Sequence, residues 1–249
     1  MIKVYGSLNS VRKRVIFWLC CLGLIVIEPS AQAVSLVVGI PSADTTHEGS
    51  IELTHESQLS PWKRNDSYNS FSFATYGVTD HTEVAVSLNS LALPTTNNGS
   101  IGVGFKTWHP LLSKQFPKHD IRVIGGQVIP ASLHGDGLGS WTFGSVSARL
   151  PKTQTRFTAG VSAGTRQLFG RDTVAFMGAI EQPITKRVGF VVDWYSGQHA
   201  LGALIPAIQI QLSKRDILFV GVKIPNGGDN GLQGGQNLGL IIEFTKRFR

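Results

Sequence analysis

The stretch Leu238-Gly239-Leu240-Ile241-Ile242-Glu243-Phe244-Thr245-Lys246-Arg247-Phe248 decides how this chain is to be read. Leu238, Leu240, Ile242, Phe244 and Phe248 recur at every second position, while Gly239, Ile241, Glu243, Thr245 and Arg247 take the alternate places. Side chains two apart share one face of a strand, so one face is apolar and the other small, polar or charged.

The same period recurs upstream. Val84, Val86 and Leu88 alternate with Glu83, Ala85 and Ser87, and Ile101, Val103 and Phe105 with Gly102, Gly104 and Lys106. Phe157, Ala159 and Val161 oppose Arg156, Thr158, Gly160 and Ser162; Val188, Phe190, Val192 and Trp194 oppose Gly189, Val191, Asp193 and Tyr195. Ile208, Ile210 and Leu212 oppose Gln209 and Gln211. Such segments begin near residues 48, 69, 82, 100, 119, 141, 155, 173, 187, 201, 215 and 236, which predicts about twelve antiparallel strands. Their spacing suits strands of roughly 9–11 residues, the length a tilted strand needs to cross a bilayer, whereas strands of soluble domains are commonly about 5–6 residues.

The connections alternate in length. Those at 78–80, 151–154, 183–186 and 213–216 are tight, while 59–68, 89–99, 130–139 and 225–236 are long and rich in Gly, Asn, Pro and Asp. Short inner turns and long outer loops are the habit of outer-membrane barrels. Residues 108–119, with Pro110 and Pro117, break the rhythm as a long inner turn. Either that segment has a role of its own on the inner side or the segmentation is off there.

The face opposite the aliphatics is dominated by Gly, Ala, Ser and Thr, and the chain is only 16% charged with 28 glycines. That suits a narrow lumen better than a water-facing surface, and glycine tolerates the bends of a strongly curved sheet. The predicted fold is an all-β, antiparallel transmembrane β-barrel of about twelve strands over residues 47–249. Phe71, Phe73, Trp108, Trp141, Phe143, Trp194 and Phe248 are expected at strand ends or along the apolar face, as girdle residues are.

The N-terminus carries an export signal. Lys3, Arg12, Lys13 and Arg14 precede an apolar run at 15–27, followed by Pro29 and Ala31-Gln32-Ala33. Basic region, short apolar region and A-x-A site, in that order, describe a signal peptide, with cleavage expected after Ala33. An apolar run of this length reaches roughly 20 Å as a helix, short of a hydrocarbon core of roughly 30 Å. Residues 34–46 then become an N-terminal periplasmic segment or a lumen plug. Cys20 and Cys21 both lie in the leader, so the mature chain offers no disulfide, thiolate nucleophile or Cys-ligated zinc. Cleavage lowers the basic count from 23 to 19 and the acidic count from 16 to 15, leaving a net charge of about +4. The precursor's basicity is partly that of its leader, and no nucleic-acid partner is expected.

The hairpin Tyr76-Gly77-Val78-Thr79-Asp80-His81-Thr82-Glu83-Val84-Ala85-Val86-Ser87-Leu88 resembles one found repeatedly in small bacterial outer-membrane β-barrel proteins of porin or transporter type: an aromatic-Gly-aliphatic-Thr-Asp turn, an acidic residue, then alternating aliphatics. The final strand, ending Phe244-Thr245-Lys246-Arg247-Phe248-Arg249, resembles the C-terminal signal read by the outer-membrane assembly machinery, although the family pattern ends on the aromatic itself and this chain adds Arg249. The resemblance implies an outer-membrane location, contact with outer-membrane lipid, and assembly through the strand ending at Phe248. It carries no catalytic residue across.

Enzyme chemistry finds little support. His47, His55, His81, His109, His119, His134 and His199 are scattered among turns and strand ends, and Ser196-Gly197-Gln198-His199 is the nearest approach to a serine–histidine cluster. The glycine-rich stretches 135–139 and 227–231 lack the partners of a phosphate or calcium loop. No catalytic residue, cofactor or metal is expected. The candidate residues are instead charges on the inward face: Glu52, Glu83, Lys106, Arg122, Arg156, Glu181, Asp193, Lys223 and Glu243. Buried charges need partners or water, so they are expected to form an internal ion-pair network that sets ion preference if the lumen conducts. Three functions follow in order: a narrow channel or transporter for small solutes, a structural or adhesive envelope protein acting through its outer loops, and a membrane-embedded lipid-modifying enzyme.

Overall fold

The computed structural model describes residues 36–60, 67–89, 99–133, 135, 137–169, 172–199, 201–227 and 238–249. The expected leader with its cleavage site and cysteines lies outside them, as do Val34, Ser35, His134 and large parts of the expected outer loops 59–68, 89–99 and 225–236.

Twelve strands follow one another: β1 (Ile51–Ser60), β2 (Ser67–Thr79), β3 (Thr82–Asn89), β4 (Ser100–Pro110), β5 (Arg122–Ser132), β6 (Trp141–Arg149), β7 (Arg156–Gly164), β8 (Val174–Pro183), β9 (Val188–Tyr195), β10 (Ala203–Gln211), β11 (Asp216–Pro225) and β12 (Gly239–Phe248). A single helical turn, α1 (Arg166–Phe169), interrupts the connection from β7 to β8. Every strand pairs antiparallel with its chain neighbours, and β1 closes on β12 in the register Ile51 opposite Phe248 through Leu59 opposite Leu240. Closure leaves no unpaired sheet edge, which is what permits strands to cross a hydrocarbon layer. Each expected onset lies within three residues of the observed one.

The alternation sorts side chains as a membrane barrel requires. Ile51, Leu53, Val84, Val86, Ile101, Val103, Phe105, Phe157, Val161, Phe176, Phe190, Ile208, Val220, Ile242 and Phe244 are exposed on the outside. Glu52, Thr54, Glu56, Glu83, Ser87, Lys106, Ser145, Ser147, Arg156, Thr158, Asp193, Glu243 and Thr245 are buried on the inside. A soluble barrel would show the reverse. Among the described residues no helix is long and apolar enough to span a membrane.

Two corrections concern the interior. Of the aromatics expected at strand ends or along the apolar face, Trp108, Trp141, Trp194 and Phe248 lie at strand ends, but Phe73 and Phe143 are buried inside. Phe71 stacks on Phe73 at 5.3 Å, and Trp141 on Phe143 at 5.2 Å. Trp108 also turns inward, its indole N–H donating to Thr45 Oγ1 at 3.2 Å. The outer aromatics instead include Tyr76, Phe105, Phe157, Phe176, Phe190 and Phe244. The second correction is compositional: part of the inner wall is apolar. Val191, Ile205, Ile217, Phe219 and Ile241, on β9 to β12, form one buried cluster with Val37, Val38 and Ile40 from the segment ahead of β1. Burying an aliphatic side chain of this size contributes roughly 1.5–3 kcal/mol, so this wall is apolar because chain lies against it.

The long inner connection is real. With twelve strands in place, residues 111–121 join β4 to β5 at the end where the other described connections are tight. Its own amides close it: Leu111 N donates to Ile121 O at 2.8 Å and Phe116 N to Leu112 O at 2.8 Å. Asp120 at its close has φ of 41°, which turns its carboxylate onto the inward-facing arginines.

Candidate functional site

Residues 36–46 run through the barrel lumen. At the short-turn end, Gly77 of β2 lets the chain pass: its N–H donates to Ser50 O at 3.1 Å and its carbonyl accepts from Gly49 N at 2.9 Å. A Cβ at Gly77 would collide with the carbonyls of Thr46 and His47, so glycine is required there by close backbone approach. Thr46 N then donates to Glu83 Oε2 at 2.6 Å, and Thr45 Oγ1 to Asp80 O at 2.8 Å. Further in, the chain bends between Leu36 and Pro41, with Val37 N donating to Ile40 O at 2.9 Å. Within this bend three successive amides converge on Asp193 Oδ2: Val38 at 3.2 Å, Gly39 at 2.6 Å and Ile40 at 3.2 Å.

A basic cluster grips the other part of the segment. Asp44 Oδ1 lies 2.7 Å from Arg122 Nη1 and 3.3 Å from Arg156 Nη1. Arg122 Nη1 also donates to Ala43 O at 2.9 Å, and Lys106 Nζ to Asp44 O at 2.6 Å. Asp120 holds the same arginines from behind, its Oδ1 accepting from Arg122 Nε at 2.8 Å and its Oδ2 from Arg156 Nη2 at 3.1 Å, with Arg149 Nε 4.0 Å away. Lys106 Nζ is 3.2 Å from Glu83 Oε1, and Arg156 sits opposite Glu181 in the β7–β8 register. The Arg122 guanidinium lies 4.0 Å over the Trp108 ring, a cation–π contact that fixes its plane. Burial would raise the Asp44 carboxyl, but Arg156, Arg122, Arg149 and Lys106 outweigh it and hold Asp44 below the ordinary aspartate value.

The other side of the lumen is acidic. Glu52 accepts from Arg247 Nη2 at 2.8 Å. Glu56 and Glu243 stand directly opposite each other on β1 and β12; Gln58 Nε2 donates to Glu56 Oε1 at 2.6 Å, while Glu243 Oε2 has no hydrogen-bond partner among the described residues. Lys223 Nζ donates to Gln58 Oε1 at 3.4 Å. With Asp193, four carboxylates here face two cations, Lys223 and Arg247. The lumen therefore carries a transverse polarity, and residues 36–46 match it: amides toward the acidic side, a carboxylate toward the basic side.

All nine candidate charges point into the barrel, in two groups. Glu83, Lys106, Arg122, Arg156 and Glu181 lie on the basic side, and Glu52, Asp193, Lys223 and Glu243 on the acidic side. Sequence reasoning left out Asp44, Glu56, Asp120, Arg149 and Arg247. Glu56 and Arg247 carry a signal, since they alternate with outward aliphatics on β1 and β12. Asp44 and Asp120 carry none, because neither sits in a strand.

Ser196 and His199 turn to backbone partners and not to each other. Ser196 Oγ accepts from Phe176 N at 2.8 Å, and Leu201 N donates to His199 Nδ1 at 3.2 Å. On the outer face, His55 Nδ1 lies 2.8 Å from Ser72 Oγ and its Nε2 3.2 Å from Ser57 Oγ. Ser57 is thus within reach of an imidazole whose other ring nitrogen is held by a third polar group, the arrangement nucleophilic catalysis needs, with a hydroxyl that stabilises an imidazolium less than a carboxylate would. Among the described residues no cluster of three or more metal-ligating side chains is present.

No family model and no curated protein matches this sequence. Solved structures do resemble it. One is a KdgM porin in complex with disordered oligogalacturonate, with a TM-score of 0.54 at 10% identity over 80% of this chain and 99% of that one. Another is a NanC porin, with a TM-score of 0.50 at 10% identity over 80% of this chain and 99% of that one. At such identity the likeness is one of fold, a closed antiparallel β-barrel like that of these porins.

Proposed function

We propose that this protein is an outer-membrane channel for small solutes, narrow in bore and closed in this state by residues 36–46. The observation that carries the reading is the pairing of an apolar barrel exterior with a lumen lined by acidic and basic side chains. Charged groups inside a membrane protein are costly and mark ion or solute paths. A twelve-stranded barrel lies between side-chain-filled eight-stranded barrels and open sixteen-stranded ones, so one extended peptide is enough to obstruct it. Export by a leader cleaved after Ala33, assembly through β12 and its Phe248, and contact with outer-membrane lipid belong to the same reading.

The test is conductance in planar bilayers. The unaltered chain is expected to open rarely, and the chain lacking residues 36–46 to conduct steadily. Lys106→Glu and Arg122→Glu are expected to move its ion preference toward cations. A deletion chain that migrates on SDS gels as a folded, heat-modifiable barrel but passes no current would refute the channel. Fractionation with the outer membrane checks the location.

A further inference from the structure

We propose that Arg122 and Arg156, with Lys106, form a binding site for the carboxylate of a small anionic solute, and that Asp44 occupies this site as an internal stand-in. The inference rests on the channel reading and names the solute class that such a channel takes. Four features of the basic cluster carry it.

The barrel itself supplies an excess of positive charge at this point. Its wall contributes four cations, Lys106, Arg122, Arg149 and Arg156, against three carboxylates, Glu83, Asp120 and Glu181. The fourth carboxylate, Asp44, comes from the lumen segment and belongs to no strand.

Asp44 fits the site incompletely. Its Oδ1 serves both arginines, well placed on Arg122 at 2.7 Å, but at 3.3 Å from Arg156 Nη1 it is out of hydrogen-bonding alignment. Arg156 Nε and Nη1 are buried without a hydrogen-bond acceptor among the described residues, on a side chain 2% exposed. A guanidinium prefers two parallel bonds to one carboxylate. The Asp44 backbone is held on both sides, Ala43 O by Arg122 and Asp44 O by Lys106, which limits how far its short side chain can shift toward Arg156. A carboxylate on a free solute has no such restraint.

The site is also rigid in advance of any solute. Asp120 braces both guanidinium groups from the far side and Trp108 stacks on Arg122. Preorganised donors lose little freedom on binding.

Finally, the space is already peptide-shaped. The segment crossing here is a single chain anchored at Asp193 on one side and through Thr45 and Thr46 to Asp80 and Glu83 on the other, so the stretch that has to leave the arginines is only 42–44. The solute is then a small carboxylate or sugar acid no wider than an extended peptide.

The experiment titrates the folded barrel in detergent with glucuronate and, as the uncharged match, glucose, followed by isothermal calorimetry in phosphate-free buffer. Asp44→Asn is isosteric and removes the competing charge; heat-modifiable migration verifies its fold. It is expected to bind glucuronate at least about tenfold tighter than the unaltered chain, the equivalent of one charge-assisted contact, and to show no gain for glucose. Adding Arg156→Gln to Asp44→Asn is expected to abolish the gain. The chain lacking residues 36–46 serves as the second variant and should match Asp44→Asn. Equal glucuronate affinity with and without Asp44, or equal affinity for glucose, overturns the site. Conductance is read separately: glucuronate binding in a barrel that never conducts retains the site and removes the channel, whereas conduction without carboxylate preference does the opposite.

Discussion

Asp193 on β9 and Gly39 in the lumen segment are joined by a hydrogen bond of 2.6 Å from the Gly39 amide to Asp193 Oδ2. The amides of Val38 and Ile40 reach the same oxygen at 3.2 Å each. Consecutive N–H groups curled around one anion make a small backbone nest. Here the nest belongs to the segment and the anion to the barrel wall. Gly39 suits the position because a Cβ would lie only 3.3 Å from the Ile205 side chain.

Asp193→Asn should loosen the segment without removing its apolar packing. Asp193 Oδ2 accepts three amide hydrogen bonds, each worth about 0.5–1.5 kcal/mol, so docking should weaken by about tenfold. The mature chain is expected to contain no cysteine, so Val38→Cys gives a single reporter for a small, water-soluble thiol reagent. Val38 is 1% exposed and should label slowly; labelling should accelerate about tenfold when Asp193→Asn is added. An unchanged rate would remove Asp193 as the anchor.

Acid should release the other end of the segment, but late. Asp44 is held below the ordinary aspartate value because Arg156, Arg122, Arg149 and Lys106 together outweigh its burial. Glu83 on β3, Asp120 in the 111–121 connection and Glu181 on β8 face the same group. A depressed docked pKa means that the contribution to closure is fully present above the undocked value, about 3.9, and is lost as pH falls through the lowered docked value. The Asp44-dependent part of the open probability, read as the difference between the unaltered chain and Asp44→Asn, should therefore stay flat from pH 7 to about 4 and change only below that. A change in that difference centred above pH 5 would contradict the assignment to Asp44.

The lipid-facing surface can be tested at one position. Val103 on β4 is 57% exposed and stands between Val86 of β3 and Ile129 of β5. In a bilayer, Val103→Arg should cost about 2–4 kcal/mol if the residue lies near the midplane. In a water-soluble barrel an arginine at so exposed a position would cost little. Urea unfolding in lipid vesicles measures the difference, and a cost near zero would argue against a membrane-facing β4.

Features set by local forces are legible in the order of the residues. Strand alternation is local, so Val84, Val86 and Leu88 against Glu83, Ala85 and Ser87 declare their two faces, and the onset of each strand can be placed closely. Turn chemistry is local too, which is why the long 111–121 connection stands out as a break in rhythm even though the role of Asp120 within it does not. Aromatic placement is less legible. Phe73 and Phe143 are as hydrophobic as Phe105 or Phe157, and residue type does not say whether an aromatic packs inward on a neighbour or outward on lipid.

The amino-acid sequence by itself determined the barrel: the period of two, the strand lengths and the alternating loop lengths leave few other ways to pair these backbones. Strand parity also assigns the charges within strands to one face or the other, while Asp44 and Asp120, outside the strands, carry no such signal. Only the tertiary structure decided what the lumen holds. Residues 36–46 have no periodicity, and their position follows from partners distant in sequence: Asp193 for the amides of 38–40, Arg122 and Arg156 for Asp44, Val191 and Ile205 in one cluster with Val37 and Ile40. Those contacts exist only once twelve strands have closed into a ring, because closure is what brings β5, β7 and β9 around a common axis.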